Sequence, residues 1–148
     1  GYVYGKYLCR EEATAYDYHP AVKLLGSGTV RSIKVYPGTP PDYWNTQTGK
    51  GEIRFDSEKL VFITLKKAYS GLGMTIAVYP DEASAKAKFA QIAQEQVYTP
   101  DTAYSYFRND NYIVRWSRGE LMDLSRRAEA FSSRMEEKLK EFCQDYTR

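Results

Sequence analysis

Residues 60–65 (Leu-Val-Phe-Ile-Thr-Leu) constrain this chain most, because they form a short β-prone run with almost no polar side. A strand that is apolar on both faces belongs in the middle of a sheet. A turn rich in Gly, Ser and Tyr follows over residues 66–73, and residues 74–79 (Met-Thr-Ile-Ala-Val-Tyr) return as a second strand. Beyond Pro80, residues 81–96 carry Ala85, Phe89, Ile92 and Ala93 at helical spacing. The unit is a hairpin feeding a helix that lies back across it.

The remaining elements follow from the same two periods. Residues 29–36 (Thr-Val-Arg-Ser-Ile-Lys-Val-Tyr) alternate with period two. They follow Gly26-Ser27-Gly28, which therefore makes a turn rather than a phosphate cradle, since a cradle requires a helix directly after the glycines. Residues 52–56 (Glu-Ile-Arg-Phe-Asp) alternate cleanly and predict another strand, with Ile53 and Phe55 inward. Residues 104–108 and 112–117 are β-rich runs separated by Asn109-Asp110, a hairpin signal because Asn and Asp tolerate positive φ. A helix is predicted over 120–144, where Leu121, Leu124, Ala128, Phe131, Met135, Leu139 and Phe142 form an apolar stripe. Arg126, Arg127, Glu136, Lys138 and Lys140 fall off that stripe. Residues 1–28 are less regular, with a short edge strand expected near 2–8. The fold class is α+β: a single domain with a mainly antiparallel sheet of five to six strands. Two helices, about 81–96 and 120–144, are expected on one face of it.

Composition limits the function classes. At 148 residues the chain makes one domain able to bury roughly two-thirds of its unfolded surface. A net charge of +2 is too small to imply a nucleic-acid or acidic-membrane partner. No apolar run reaches the roughly 18–20 residues that span a bilayer. Residues 1–4 lack the basic start and apolar core of a signal peptide, while the absence of an initiator Met fits removal of an upstream leader or anchor. Cys9 and Cys143 lie near opposite ends, and a disulfide between them would tie the termini and place the chain outside a reducing cytosol. An exported or tethered setting is the expectation that follows.

Catalytic constellations are sparse. The one histidine, His19, reads as a loop residue, and no local motif joins it to Cys9 or Cys143 as a dyad. Metal-ligand spacing, phosphate-binding loops and nucleophile motifs are all missing, so no metal or cofactor is predicted. Asp42 and Asp56 are the carboxylates placed near a cleft. The most conspicuous loop, residues 37–51, holds three prolines, three glycines and the pair Tyr43 and Trp44 between Asp42 and Asn45. So long a connection is usually functional. The primary expectation is a non-enzymatic binding or accessory domain, with a protein partner or ligand meeting Tyr43, Trp44, Asp42 and Asn45. Fourteen tyrosines suit such half-wet surfaces. An alternative is single-stranded nucleic-acid binding through Arg108, Tyr112, Arg115 and Trp116 on the second hairpin. Its phosphate-driven affinity would be small at this charge. A small-ligand carrier or enzyme with a pocket between helix and sheet is the third reading.

Overall fold

The computed structural model describes residues 19–26, 28–37, 55–98, 103–119 and 124–147. The apolar run at its centre becomes β2 (Lys59–Leu65), which pairs antiparallel on one side with β1 (Val30–Tyr36) and on the other with β3 (Gly73–Val78). A 3-10 turn at Lys67–Tyr69 bridges β2 and β3. The second hairpin, β4 (Tyr104–Asn109) and β5 (Tyr112–Ser117), turns at Asp110, whose φ of 46° lies in the left-handed region. β5 pairs with β3, so the two hairpins join into one sheet of order β1–β2–β3–β5–β4–β6.

The outermost strand, β6 (Asp145–Thr147), was not anticipated. Three residues are too few for a periodic signal, and β6 exists because β4 offers it an edge. Among the described residues three helices accompany the sheet: α1 (Pro20–Lys23), α2 (Glu82–Tyr98) and α3 (Arg126–Phe142). The helix expected over 120–144 is shorter at its start because Ser125 caps it, its hydroxyl accepting the N–H of Ala128 at 3.1 Å. Leu124 still packs on the core, but from the preceding loop. Of the strand expected over 52–56, only Phe55 and Asp56 are described. Neither is in a strand, and Asp56 has a φ of 51°.

The two long helices cover opposite faces of the sheet, which corrects the expectation that both lie on one. β5 shows why. Tyr112, Val114 and Trp116 join a core with Ala128, Phe131, Met135 and Leu139 of α3 and with Ala21 and Val22 of α1. Ile113 joins a second core with Leu60, Ala77, Ala85 and Ile92, the last two on α2. Side chains of successive strand residues point to opposite faces, so a strand apolar at every position requires a cover on each side.

On the α3 face, the fully buried Trp116 donates its indole N–H to Ser132 Oγ at 2.9 Å. Its ring lies 6.3 Å from that of Phe131, which meets Tyr69 of the 3-10 turn at 4.5 Å. Glu136 lies off the apolar stripe yet is only 12% exposed at its side chain. It accepts Ser105 Oγ at 3.0 Å and pairs with Arg118 Nε at 3.5 Å, which docks α3 on the second hairpin. Elsewhere, Gly119 has a φ of +68°, and a Cβ there would meet the Gly71 carbonyl oxygen at 2.7 Å. The exit of β5 therefore approaches the β2–β3 turn more closely than any side chain allows.

Two outcomes are expected from urea unfolding. Ser132→Ala strands the buried indole N–H and lowers stability by about 1–3 kcal/mol with an unchanged denaturant slope. Gly119→Ala combines a left-handed backbone with a steric collision and costs about 1–2 kcal/mol or more. Wild-type midpoints in either variant would refute the corresponding contact.

Candidate functional site

Among the described residues, α2 lies mainly over β5 and β4 and reaches Leu60 of β2 and Ala77 of β3. Strand register fixes which side chains share that face. One row across the sheet reads Lys34, Phe62, Thr75, Arg115 and Tyr106, and the next reads Ser32, Thr64, Gly73, Ser117 and Tyr104. Directly paired residues share a face, so both rows point to the α2 side. Gly73 supplies no side chain in the middle of the second row, and the gap becomes a cleft of about 280 Å³. Phe62, Thr64, Gly73, Thr75, Tyr104, Arg115 and Ser117 line it, with parts of Ile63, Leu72 and Met74. Among the described residues, the nearest atom a Cβ at Gly73 would meet is the Ile63 carbonyl oxygen at 3.8 Å, which leaves room there.

Arg115 carries the site's charge. It is 3% exposed, and its guanidinium carbon lies 4.6 Å from the Tyr104 ring centroid and 5.3 Å from that of Phe55. Ring faces attract a cation and hold the planar guanidinium in a restricted orientation. Phe55 is itself set by Tyr79, whose hydroxyl donates to the Phe55 carbonyl, and burial pushes the Tyr79 phenol above its usual range. Beside it, the exposed Asp56 pairs with Lys88 of α2 at 3.8 Å, and burial lowers the Lys88 ammonium while Asp56 pulls it back. Asp56 is not among the described residues lining the cleft.

Arg108 has a different surrounding. It is 2% exposed and donates to Asp145 at 2.6 Å, Gln144 at 3.0 Å, the Asp110 carbonyl at 3.0 Å and Glu82 at 3.4 Å. This set ties β6, the hairpin turn and the start of α2 to one buried cation. Its role is architectural, because the buried guanidinium is surrounded by protein acceptors.

The four residues of the nucleic-acid reading are thus not presented together. Arg108 and Arg115 point to the α2 face, while Tyr112 and Trp116 point to the α3 face, and all four are buried. Tyr112 meets the His19 ring edge-on at 4.2 Å, and burial pushes its phenol up to about 12 while the Asn109 amide pulls the other way. His19 is not a simple loop residue: its Nδ1 accepts the Ala21 N–H at 3.1 Å and caps α1. Desolvation, then the charge of Lys59, lowers its pKa to about 4. Cys143 caps the end of α3 as a free thiol, pushed up to about 12 by burial with Arg108 opposing, and so stays protonated at neutral pH. Its suggested partner Cys9, together with Asp42, Tyr43, Trp44 and Asn45, lies outside the described residues.

The sequence reading named Arg115 but missed its neighbours. Thr64, Thr75 and Ser117 are single polar residues in apolar strands, and only the register reveals that they converge. No group of three or more His, Cys, Asp or Glu converges as a metal site among the described residues. No helix among them is long and apolar enough to cross a membrane. Fold and site together define an α+β domain with an open six-stranded antiparallel sheet, a helix on each face and a polar cleft beside one of them. Comparison with protein-family models, curated proteins and solved structures found no match.

The cap makes a pH prediction. Folding holds His19 neutral, so its contribution is complete above the unfolded value of about 6.5 and is lost as pH falls from there through about 4. His19→Asn keeps a capping acceptor that does not titrate. Melting temperature measured from pH 7.5 to 4 should fall less steeply in the variant below pH 6.5; parallel curves would exclude a neutral capping His19.

Proposed function

We propose that this chain is a non-enzymatic binding domain that holds a small ligand in the cleft floored by Gly73, Thr75, Arg115 and Ser117. The observation that supports this reading is the gap at Gly73, surrounded by hydroxyl groups and a buried, ring-held guanidinium. Ligand sites combine apolar walls with a few convergent polar groups, and here Phe62 and Tyr104 are the walls. The described lining offers hydroxyls and an arginine but no carboxylate, imidazole or thiol. That inventory suits holding a ligand rather than moving its protons, since an arginine does not deprotonate in the working pH range. The volume of about 280 Å³ lies just below the roughly 300–1,000 Å³ typical of ligand sites, which fits a single substituted ring or a comparable molecule.

The test is an NMR screen of a small-fragment library against the whole chain. Binding fragments should shift the amides of Gly73, Thr75, Arg115 and Ser117. Gly73→Val places a branched side chain in the gap at a position with ordinary backbone angles, so it should keep the melting temperature within a few degrees and abolish those shifts. Hits that all map elsewhere, or that persist unchanged in Gly73→Val, would refute the cleft as the binding site.

A further inference from the structure

We propose that the flank of α3 beside the β2–β3 turn docks on a membrane surface rich in anionic phospholipid headgroups. The proposal is independent of the cleft, which opens on the opposite face of the sheet. Its basis is a segregation of charge that the whole-chain balance of +2 conceals.

Arg127, Arg134 and Lys138 sit at i, i+7 and i+11 of α3, which puts them on one flank of the helix. All three are exposed. Ring contacts tie this flank to the 3-10 turn. The Arg127 guanidinium carbon lies 5.7 Å from the Tyr69 ring centroid, Tyr69 meets Phe131 at 4.5 Å, and Arg134 lies 5.9 Å from the Phe131 ring. Lys67, also exposed, stands in the same turn as Tyr69. At the other end Lys138 donates to the Leu24 carbonyl at 3.4 Å. Among the described residues none of these four cations is in an ion pair, whereas Lys88, Arg108, Arg118 and Lys140 each meet a carboxylate. The bordering segments explain this. Residues 19–36 and 59–80 contain no Asp or Glu, although the chain has 19 acidic residues. Along the flank itself the first carboxylate is Glu141, in the last turn of α3.

The kind of partner follows from what accompanies the charge. Protein interfaces are anchored by large apolar or aromatic side chains at their centre. The exposed large apolar residues among those described are Val97 of α2, Phe142 at the end of α3 and Tyr146 of β6, away from the stretch between Arg127 and Arg134. Single-stranded nucleic acid is held by stacking bases on open ring faces. Here Tyr69 and Phe131 each already carry a guanidinium, and Phe131 is buried. An anionic bilayer requires neither feature, because clustered Lys and Arg suffice, each worth about fivefold in binding.

Sedimentation of the whole chain with vesicles tests this. At low salt it should bind vesicles containing phosphatidylserine and not vesicles of phosphatidylcholine alone, with half-binding on the order of 1 mM lipid for four cations. Raised salt should release it. Lys67→Gln and Arg134→Gln should each weaken binding about fivefold. Should Arg134→Gln lose stability with its ring contact, Lys67→Gln decides, because the Lys67 side chain makes no ring or ion-pair contact among the described residues. Lys86→Gln removes the same charge from an exposed position on α2 and should bind as the wild type does. Equal weakening by Lys86→Gln would make total charge, rather than this patch, responsible and would overturn the proposal. Absence of binding to phosphatidylserine vesicles at low salt would do the same. So would tighter binding, per anionic charge, to a single-stranded oligonucleotide or to polyglutamate, which would reassign the patch to nucleic acid or to an acidic protein segment.

Discussion

Cover on both faces of β3 and β5 is the constraint from which the rest follows. Each of these strands is hydrogen-bonded on both edges, and nearly every side chain on them is buried. Trp116, Val114 and Ile76 need an apolar layer on one side, and Ile113 and Ala77 need one on the other. α3 and α1 supply the first layer and α2 the second. With side chains worth about 1.5–3 kcal/mol each on burial, a sheet like this with one wet face would forfeit a large part of its stability.

The two layers are unequal, and that inequality produces the site. α3 carries a continuous apolar stripe and meets the turn between β2 and β3 as well as the second hairpin. α2 is rich in alanine and glutamine and covers mainly the second hairpin. Beyond its main contacts lies the end of the sheet where the strands carry Thr64, Gly73, Thr75 and Ser117 rather than large apolar residues. Small and polar side chains there are compatible with partial wetting. They also leave the depression in which a molecule can sit.

The paired strands β4 and β5 each bury a guanidinium. Arg108 takes carboxylates that are themselves nearly half exposed, so each partner keeps part of its hydration while the cation is satisfied. Its position on β4 lets it gather β6, the hairpin turn and α2, which explains how a three-residue strand holds at the sheet edge. Arg115 lies over aromatic rings and borders a cleft. The same residue type, seven positions away on the paired strand, is as deeply buried, with the Tyr104 and Phe55 rings beside its guanidinium.

Much of the architecture was legible in the amino acids. Residues 60–65 showed a central strand through their lack of polar positions, the hairpin at Asp110 through its turn chemistry, and α3 through its stripe from Ala128 to Leu139. The opposite placement of α2 and α3 was present in the same pattern, because Leu60 and Phe62 alternate with Val61 and Ile63 and both sets are apolar. β6 left no trace, since three residues have no period. His19 looked like a loop residue because its capping role depends on a helix of only four residues, Pro20–Lys23, too short to show a period.

By itself, the sequence determined which segments were strands and helices and that the sheet's centre had to be dry, because side-chain periodicity is a local property of the backbone. Only the tertiary structure decided that Thr64, Gly73, Thr75, Arg115 and Ser117 come together. Those residues lie on three strands, and their meeting depends on pairing register, which is set by long-range hydrogen bonds and packing that no single segment encodes.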